Sequence, residues 1–494
     1  MRSIIFILGW IFVILAVLML VPIGTAVLYH EFVGRYYAAV ALGVALLGFI
    51  LIQTRPKSLL FRAKEGLACT SLAWIFMSLF GALPLYLSRE IPAYIDAVFE
   101  IVSGFTTTGA SILASVEDMS RTANIWRCFT HWIGGMGVLV FLLAVLPMVG
   151  GSNMQLMKAE SPGPSVGKLV PKVRFTARLL YLLYVALTFI MVFFLLMGRM
   201  SLYDSLCTAF GTAGTGGFGI YNTSCGGFSP YLQWVITIFM ILFGVNFNVY
   251  YLLFLRKVKD AVKCEEMHWY LGIIVFAALF IYANTSHLFG SLEEGLRTCF
   301  FQVSSIITTT GFSTADFDLW PSFSKTILAT LMFVGACAGS TGGGTKVSRV
   351  VIAGKCFSSY VGKFLHPRAV DHIQFEYKNV EDKTIQAIFL YYVGVVTIVA
   401  GSILLVSLDG FDLVTNFTAV AATFNNIGPG LSAVGPTANF AGFSVLSKLI
   451  LIFDMLAGRL EVFPMLLLLH PLFWRELVSE VRTRSLRSRR QFTT

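Results

Sequence analysis

One short string recurs in this chain, and its recurrence limits the possible folds more than any other feature does. Thr106-Thr107-Thr108-Gly109 is written again as Thr308-Thr309-Thr310-Gly311. Two weaker copies are Ala213-Gly214-Thr215-Gly216 and Asn425-Asn426-Ile427-Gly428. A short apolar segment precedes each copy and begins beside an aspartate or a glutamate. The chain is therefore interpreted as a fourfold internal repeat.

The composition predicts that these repeats lie in a membrane. Of the 494 residues, 56% are hydrophobic and 13% are charged, whereas soluble proteins carry about 25% charged residues. Lysine and arginine cluster in alternate connections, at 55–64, 158–178, 256–263 and 346–368, and in the tail 475–490. Basic loops remain in the cytoplasm, so both termini are predicted to be cytoplasmic. The basic tail is interpreted as a topology anchor, with binding of anionic lipid or of a partner as the alternative.

Each repeat is expected to contain a span, an apolar half-span, the recurring turn and a second span. The predicted segments are an N-terminal helical hairpin at 1–60, pore repeats at 66–150, 177–263, 268–365 and 384–475, and a basic cytoplasmic tail at 476–494. The second spans of repeats two and four, 231–255 and 443–472, are expected to be continuous helices. In the third repeat an interruption is expected at 336–346.

The half-spans decide the architecture. The first, 93–104, has twelve residues, or roughly 18 Å of helix, whereas the hydrocarbon core is about 30 Å thick. Such a segment enters the bilayer but must turn back, and non-helical backbone is tolerated there only where it lines water or is buried in protein. The predicted fold class is an all-α membrane protein with four span–pore helix–span repeats around a pseudo-fourfold axis, preceded by a two-helix N-terminal hairpin. Four unrelated amphipathic helices on the membrane surface are the alternative.

A threonine-rich turn at the end of such a half-helix is suited to binding a monovalent cation. The carbonyl end of a helix carries roughly half a negative charge, and threonine adds a hydroxyl oxygen. Glycine allows the positive φ values that keep successive carbonyls facing one axis. Rings of such oxygens can replace the hydration shell of an alkali cation.

This arrangement resembles the membrane (pore) subunit of a Trk-type potassium transporter, a member of the Trk/Ktr/HKT superfamily. The resemblance covers essentially the whole chain and depends on the four filter strings taken together. In that family the glycine that closes each string accompanies potassium selectivity, and a serine at the first would indicate sodium. The strings here close on Gly109, Gly216, Gly311 and Gly428. The resemblance implies selective, gated K⁺ uptake across a bacterial inner (cytoplasmic) membrane, with K⁺ as the transported ion and no covalently bound cofactor.

All four strings are therefore expected to form one selectivity filter. The divergence of Asn425-Asn426-Ile427 from a threonine triplet is typical of the fourth repeat in that family. The carbonyl groups expected to coordinate K⁺ belong to Thr107, Thr108, Gly214, Thr215, Thr309, Thr310, Asn426 and Ile427.

The expected interruption at 336–346 is rich in glycine, which makes a helix unfavourable by about 1 kcal/mol per residue. A phosphate-binding loop would need Gly-Lys-Ser/Thr in succession, but Thr345 separates Gly344 from Lys346. Glycines that pack helices together are one interpretation, and a flexible loop that blocks the pathway below the filter is the other. The resemblance favours the second, because the family has an intramembrane loop at this place. The expected gate residues are Gly339, Ser340, Thr341, Gly342, Gly343, Gly344 and Lys346, with Arg459 from the fourth repeat.

Arg459 lies within an apolar span, beside Gly458 and near Asp454 and Glu461. An ionisable residue at that depth should face the protein interior. An ion-paired anchor near the cytoplasmic end of the helix is the bland interpretation. In similar proteins an arginine of this helix contacts the intramembrane loop, so Arg459 is predicted to hold carbonyl groups of the loop or to repel cations from below.

Other function classes fit less well. A Na⁺-permeable member of the same superfamily and a cation-coupled secondary transporter of small solutes remain as alternatives. An enzyme is not expected, because nucleophiles, bases and metal ligands do not cluster, and the eight cysteines contain no Cys-x-x-Cys pair. By resemblance, the partners are a second copy of the chain in a homodimer, a cytosolic ring of nucleotide-binding (TrkA-like) regulatory subunits and the lipid bilayer. No nucleic-acid partner is expected.

Overall fold

The computed structural model describes residues 2–56, 63–137, 173–366 and 372–476. The predicted end of the first repeat at 138–150, most of the basic loop 158–178 and the tail from 477 onward lie outside the described residues. The N-terminal hairpin is formed by α1 (Arg2–Leu18), α2 (Leu20–Leu28) and α3 (Gly34–Ile52). Helices α1 and α3 cross closely at two glycines, since a Cβ on Gly9 would lie 2.9 Å from the carbonyl oxygen of Gly48.

The first two repeats have the predicted order of elements. Repeat 1 consists of the outer helix α4 (Ala63–Leu87), the pore helix α5 (Tyr94–Phe105) and the inner helix α6 (Arg121–Gly135). Repeat 2 consists of the outer helix α7 (Val173–Met197), the pore helix α8 (Leu202–Gly214) and an inner helix in two parts, α9 (Pro230–Gly244) and α10 (Phe247–Phe254). A short helix, α11 (Val258–Val262), leads to the third repeat.

The last two repeats follow the same order. Repeat 3 consists of the outer helix α12 (Glu265–Thr285), the pore helix α13 (Leu292–Ile307) and the inner helix pair α14 (Ser322–Met332) and α15 (Val347–Leu365). A two-stranded antiparallel hairpin, β1 (Gln374–Phe375) and β2 (Lys378–Asn379), connects it to repeat 4. Repeat 4 consists of the outer helix α16 (Asp382–Val406), the pore helix α17 (Leu413–Phe424) and the inner helix pair α18 (Val445–Arg459) and α19 (Phe463–Leu469).

Three of the four pore helices begin at a residue that caps the helix with its side chain, whereas α5 begins after Ala93 without such a cap. The side-chain oxygens of Ser201, Ser291 and Asp412 each accept a hydrogen bond from a backbone N–H in the first turn of the helix that follows. Acidic residues occupy the first turn of α5, α8 and α13, where they interact favourably with the helix dipole. At its carboxyl end, each pore helix leads directly into one of the glycine-containing strings.

The inner helices differ from the sequence prediction. The interruption expected at 336–346 is present between α14 and α15, but the inner helices of repeats two and four are interrupted as well. Helices α9 and α10 meet at an angle of 87°, and Asn246 caps α10 by accepting a hydrogen bond from the N–H of Asn248. In repeat 4 the break falls at Glu461 and Val462, which both have positive φ. The prediction of continuous spans at 231–255 and 443–472 was therefore wrong.

The protein is a helical membrane protein. Within the described part of the chain, six helices are long and apolar enough to cross a bilayer, and the bent pair α9 and α10 makes a possible seventh. Large apolar side chains are exposed on the outer helices, including Phe189 and Phe193 on α7 and Val393 and Val396 on α16. These faces are suited to lipid, while the pore helices are buried among the outer and inner helices.

The N-terminal hairpin is attached to the first repeat by apolar and polar contacts. The ring of Phe12 lies 5.0 Å from that of Phe80, edge to face. At the other end of the hairpin, the carboxylate of Glu31 accepts hydrogen bonds from the backbone N–H groups of Arg121 and Thr122, at 3.0 and 2.9 Å. Glu31 thus satisfies free N–H groups at the start of α6 and fixes the hairpin beside the pore repeats.

Candidate cation pathway

The four filter strings form a closed ring. A Cβ on Gly109 would lie 2.0 Å from the carbonyl oxygen of Gly216, so the first string contacts the second. In the same way, a Cβ on Gly217 would lie 2.0 Å from the carbonyl oxygen of Thr310, and a Cβ on Gly311 would lie 2.1 Å from that of Ile427. The fourth string closes the ring onto the first, because a Cβ on Gly428 would lie 2.8 Å from the carbonyl oxygen of Thr108. Each repeat therefore touches the next around one axis, and no side chain fits at the contacts.

The backbone dihedral angles correct the register of the second string. Thr107, Thr309 and Asn426 have φ values of 56°, 58° and 56°, and each is followed two residues later by a glycine with positive φ. In repeat 2 the corresponding pair is Thr215, with φ of 53°, and Gly217, with φ of 77°. The residue equivalent to Gly109 is therefore Gly217. The sequence prediction, which closed this string on Gly216, was displaced by one residue.

Hydrogen bonds at the ends of the pore helices support the corrected register. The N–H of Thr107 donates to the carbonyl three residues earlier, and the N–H of Thr108 donates to the carbonyl five residues earlier. Thr215 and Gly216 make the same two bonds in repeat 2. The structurally equivalent third positions are Thr108, Gly216, Thr310 and Ile427. Their carbonyl oxygens are the four that lie at the contacts between repeats.

Threonine hydroxyls brace the strings of the two opposite repeats. The Oγ1 atoms of Thr106 and Thr108 are 2.8 Å apart, and Thr106 Oγ1 also donates to the carbonyl oxygen of Val102 at 2.7 Å. Thr308 and Thr310 repeat this arrangement, with the same 2.8 Å separation. Because the hydroxyls are engaged with one another and with the pore helix, they hold the backbone of the string in place.

A buried ion pair supports the first string from behind. Arg127 Nη2 lies 2.7 Å from Glu100 Oε1, and the two side chains are 1% and 0% exposed. Glu100 Oε2 also accepts a hydrogen bond from the N–H of Ile112 at 3.0 Å, which fixes the chain just after Gly109. The equivalent position in repeat 3, six residues before the string, is Gln302, whose amide donates to the carbonyl oxygen of Ala315. The sequence analysis did not identify this ion pair, because its members are distant in sequence.

His131 is another residue beside the ring whose place the local sequence does not indicate. Its ring is fully buried, and Nδ1 lies 2.8 Å from the carbonyl oxygen of Gly104. The ring occupies the space beside Gly216, where an added Cβ would lie 2.2 Å from Nδ1. The glycine at position 216 is therefore required by packing against His131, which explains why two glycines occur in succession in this repeat.

A vestibule opens above the ring. This cavity of about 180 Å³ is lined by Gly109, Gly217, Gly311 and Gly428 together with the loops that follow the four strings. All four glycines of the corrected register thus face the same cavity.

The interrupted third inner helix lies directly below the ring. The segment 336–346, here called the intramembrane loop, is closed at its base by a hydrogen bond from the N–H of Val347 to the carbonyl oxygen of Ala336, at 3.0 Å. Its tip contacts two strings, since the N–H of Gly343 donates to Thr309 Oγ1 at 2.6 Å. A Cβ on Gly343 would lie 2.8 Å from the carbonyl oxygen of Asn425. A small cavity of about 10 Å³ lies between the tip of the loop and the end of the fourth inner helix, lined by Gly343, Lys346 and Arg459 among others; it has roughly the space of a single water molecule.

Two cationic side chains contact this loop. Arg459 donates from Nη1 to the carbonyl oxygen of Thr341 at 2.9 Å, and from Nη2 to that of Gly134 at 2.6 Å. It therefore links the fourth inner helix to the loop and to the end of the first inner helix, and the bond to Thr341 is the contact that sequence reasoning predicted. Lys346 is buried with φ of 77°, and its Nζ donates to the carbonyl oxygen of Gly342.

In the described residues, histidine, cysteine, aspartate and glutamate do not gather into a group that could hold a metal ion. All eight cysteines are buried and free. The groups that the four strings bring to their contacts are backbone carbonyl oxygens.

The fold and the ring define a class, namely helical membrane proteins in which four pore-loop repeats surround one axis. The family model described as TrkH, cation transport protein, matches residues 34–473, and the chain belongs to this family. It is 34% identical over 485 residues to the Trk system potassium uptake protein TrkH of Salmonella typhimurium, covering 96% of this chain and 99% of that protein. The Escherichia coli protein TrkG is 31% identical, covering 92% of this chain and 95% of that protein.

A solved structure has the same architecture. The crystal structure of the potassium transporter TrkH from Vibrio parahaemolyticus superposes with a TM-score of 0.86 at 29% sequence identity, covering 96% of this chain and 99% of that chain. The predicted family and fold class are therefore confirmed. Relatives of this family are transport proteins, and this chain is not an enzyme.

Proposed function

We propose that this protein takes up K⁺ across the cytoplasmic membrane through a single gated pore on its pseudo-fourfold axis. The observation that carries the proposal is the closed ring, in which the third-position carbonyl oxygens of all four strings lie at the contacts between successive repeats. The proposal is supported by the relatives from Salmonella typhimurium and Escherichia coli, which are named Trk system potassium uptake proteins.

Uncharged oxygens in such a ring suit a monovalent ion that must bind and also leave. The carbonyl groups proposed to coordinate K⁺ are those of the second and third positions in the corrected register, Thr107, Thr108, Thr215, Gly216, Thr309, Thr310, Asn426 and Ile427. Gly214, at the first position of its string, ends the pore helix instead. The helix dipoles of α5, α8, α13 and α17 add negative potential at the same place.

The intramembrane loop is proposed to be the gate. Its tip is packed directly against two strings, at Thr309 and at Asn425. Arg459 holds the loop through Thr341, and its positive charge repels cations that approach from below. Opening requires that the loop move away from Thr309 and that Arg459 release Thr341.

The assembly is proposed to be a homodimer with both termini in the cytoplasm, regulated by a cytosolic ring of nucleotide-binding subunits. The orientation is supported by the basic clusters of the connections, because basic loops stay in the cytoplasm. The regulatory ring is supported by the names of the relatives, which describe a Trk system rather than a single protein. The basic stretches 158–178 and 346–368 are the proposed contact with the regulatory subunits, and in the second stretch the largely exposed residues 357–366 would make it, because Lys346 and Arg349 are buried.

The proposed function is tested by measuring ion flux in liposomes that contain the purified full-length protein. Uptake of ⁸⁶Rb⁺, competed by K⁺ and much less by Na⁺, is the expected result. Equal competition by K⁺ and Na⁺ would favour a Na⁺-permeable member of the superfamily. Flux that requires a co-transported organic solute would contradict the pore.

A further inference from the structure

The strongest unassigned feature is a buried carboxylate at the base of the intramembrane loop. Glu266, in the first turn of α12, is 2% exposed. An ionisable residue that is removed from water within a membrane-spanning segment needs hydrogen-bonding partners and marks a candidate functional site. None of the roles described above for the filter, the loop or Arg459 involves this residue.

Both oxygens of Glu266 are engaged, and each holds a different element. Oε1 accepts from the N–H of Ala338 at 2.6 Å and from the N–H of Ser348 at 3.2 Å. Oε2 accepts from Asn246 Nδ2 at 3.2 Å. One carboxylate therefore connects the beginning of the loop, the first turn of α15 just beyond the loop and the break in the second inner helix.

The break in the second inner helix is the surface on which the loop rests. The N–H of Phe247 donates to the carbonyl oxygen of Gly339, and the N–H of Cys337 donates to that of Gly244, both at 3.1 Å. Asn246 is fixed within this surface, because its Oδ1 caps α10 through the N–H of Asn248 at 2.9 Å. The interruptions of the second and third inner helices thus form one hydrogen-bonded unit with Glu266 at its centre.

The position of Glu266 is itself fixed. Its own N–H donates to Glu376 Oε1 at 3.0 Å, which attaches the first turn of α12 to the segment between β1 and β2. The preceding residue, Glu265, pairs with Lys355 on α15 and accepts a hydrogen bond from the N–H of Glu376 at 3.2 Å, and neither of these contacts is with the loop. The carboxylate of Glu266 is thus a stationary anchor point beneath a loop that has to move.

We propose that Glu266 is a positioning residue that latches the intramembrane loop in its occluding position, with Asn246 as its partner. Hydrogen bonds to an ionised acceptor are stronger than neutral ones, so the latch biases the protein toward the closed arrangement. The consequence for flux depends on the proposed function, whereas the tethering of the loop does not.

The latch is tested by substituting Glu266 and Asn246, singly and together, in the full-length protein. In Glu266→Gln, the amide oxygen can still accept from the N–H groups of Ala338 and Ser348. Its N–H₂ group, however, then faces the N–H₂ group of Asn246, so that two donors oppose each other. Asn246→Asp, in contrast, sets two carboxylates against each other. The double variant Glu266→Gln/Asn246→Asp restores one donor and one acceptor with the same total charge, and Asp keeps the cap of α10. Glu265→Gln is the matched control, since it removes the same charge one residue away without touching the loop.

Two readouts are measured for each variant, namely hydrogen exchange of residues 336–348 in detergent and basal ⁸⁶Rb⁺ flux in liposomes. Each single variant is expected to increase exchange in this segment and to raise basal flux by about tenfold, the order expected for one hydrogen bond to a charged group. The double variant is expected to return both values toward wild type, and Glu265→Gln to leave both unchanged. A variant that misfolds would lose flux and gain exchange throughout the chain, and the double variant would not rescue it.

The outcomes separate the latch from the function on which it depends. Unchanged exchange in both single variants, absence of rescue, or an equal effect of Glu265→Gln would overturn the latch. If the single variants increase exchange and the double variant reverses this, but flux does not change, then Glu266 does tether the loop and the loop is not the gate.

Discussion

The side chain of Asn426 joins the last repeat to the first, because its Nδ2 donates to Thr108 Oγ1 at 2.9 Å. The same amide group donates to the carbonyl oxygen of Met455 on the fourth inner helix, also at 2.9 Å. The backbones are less tightly packed at this contact than at the other three, as the spacing at Gly428 shows. A side-chain bridge therefore closes the ring where the backbone alone leaves more room.

Asn426→Ala removes that bridge and leaves Thr108 Oγ1 without this donor. The expected result is a reduced preference for K⁺ over Na⁺, because the first and fourth strings can then separate more easily. Asn425→Ala is the matched control, since the amide of Asn425 bonds only to the carbonyl of Ala421 within its own helix. Competition of ⁸⁶Rb⁺ uptake by Na⁺ measures the difference, and equal effects of the two substitutions would contradict the bridge.

Gly217→Ala tests the corrected register. A Cβ at this position would meet the carbonyl oxygen of Thr310 at 2.0 Å on a backbone with φ of 77°, so the ring must distort. Loss of most ⁸⁶Rb⁺ flux is expected, with the protein still folded. Gly272→Ala on α12 is the control, because a Cβ there has no neighbour within 4 Å. Wild-type flux and selectivity in Gly217→Ala would restore Gly216 as the closing glycine.

Glu100→Gln is expected to destabilise the protein through charge rather than shape. Glutamine already occupies the equivalent position 302, so its size is acceptable, but Arg127 would be left as a buried charge without its counter-ion. Removing one member of a buried pair typically costs about 3–5 kcal/mol. Thermal unfolding in detergent measures the effect, and the double variant Glu100→Gln/Arg127→Gln should recover part of it. A melting temperature equal to wild type in Glu100→Gln would show that the pair contributes little.

Arg459→Ala is expected to raise basal flux, because the carbonyl of Thr341 loses its donor and the positive charge beneath the ring is removed. A deletion across Gly342–Gly344 should act in the same direction by shortening the tip of the loop. Basal ⁸⁶Rb⁺ uptake in liposomes is the measurement. Lys448→Ala is a suitable control, because it removes a cation from the same helix. Lys448 pairs with Asp96 and does not contact the loop. If Arg459→Ala and the deletion both leave flux at the wild-type level, the loop is not the gate.

The architecture could be predicted from the sequence because it follows from lengths and repeats. Twelve apolar residues cannot cross a bilayer, and the Thr-Thr-Thr-Gly strings mark where each pore helix ends. Those two observations were sufficient to place α5, α8, α13 and α17 to within a few residues. The interruption at 336–346 was also visible, since four of its residues are consecutive or nearly consecutive glycines that disfavour a helix.

The details of the ring depend on tertiary contacts that a linear pattern does not contain. Thr215 is followed by two glycines, Gly216 and Gly217, and only the backbone dihedral angles and the ring of His131 assign a role to each. The break at Asn246 lies in an apolar run whose one signal was a polar residue able to cap a helix. The contacts of Glu266 join α12 to a segment 72 residues further along the chain, so local sequence could not indicate them.

The permeability ratio of K⁺ to Na⁺ in Gly109→Ser and Gly311→Ala, compared with wild type, tests the central claim most directly. Both substitutions place a side chain where the carbonyl oxygen of a neighbouring string lies, at 2.0 Å and 2.1 Å. The ring account predicts that Gly109→Ser admits Na⁺ and that Gly311→Ala loses most of its K⁺ flux. Wild-type permeability ratios and rates in both variants would contradict the ring as the selectivity filter.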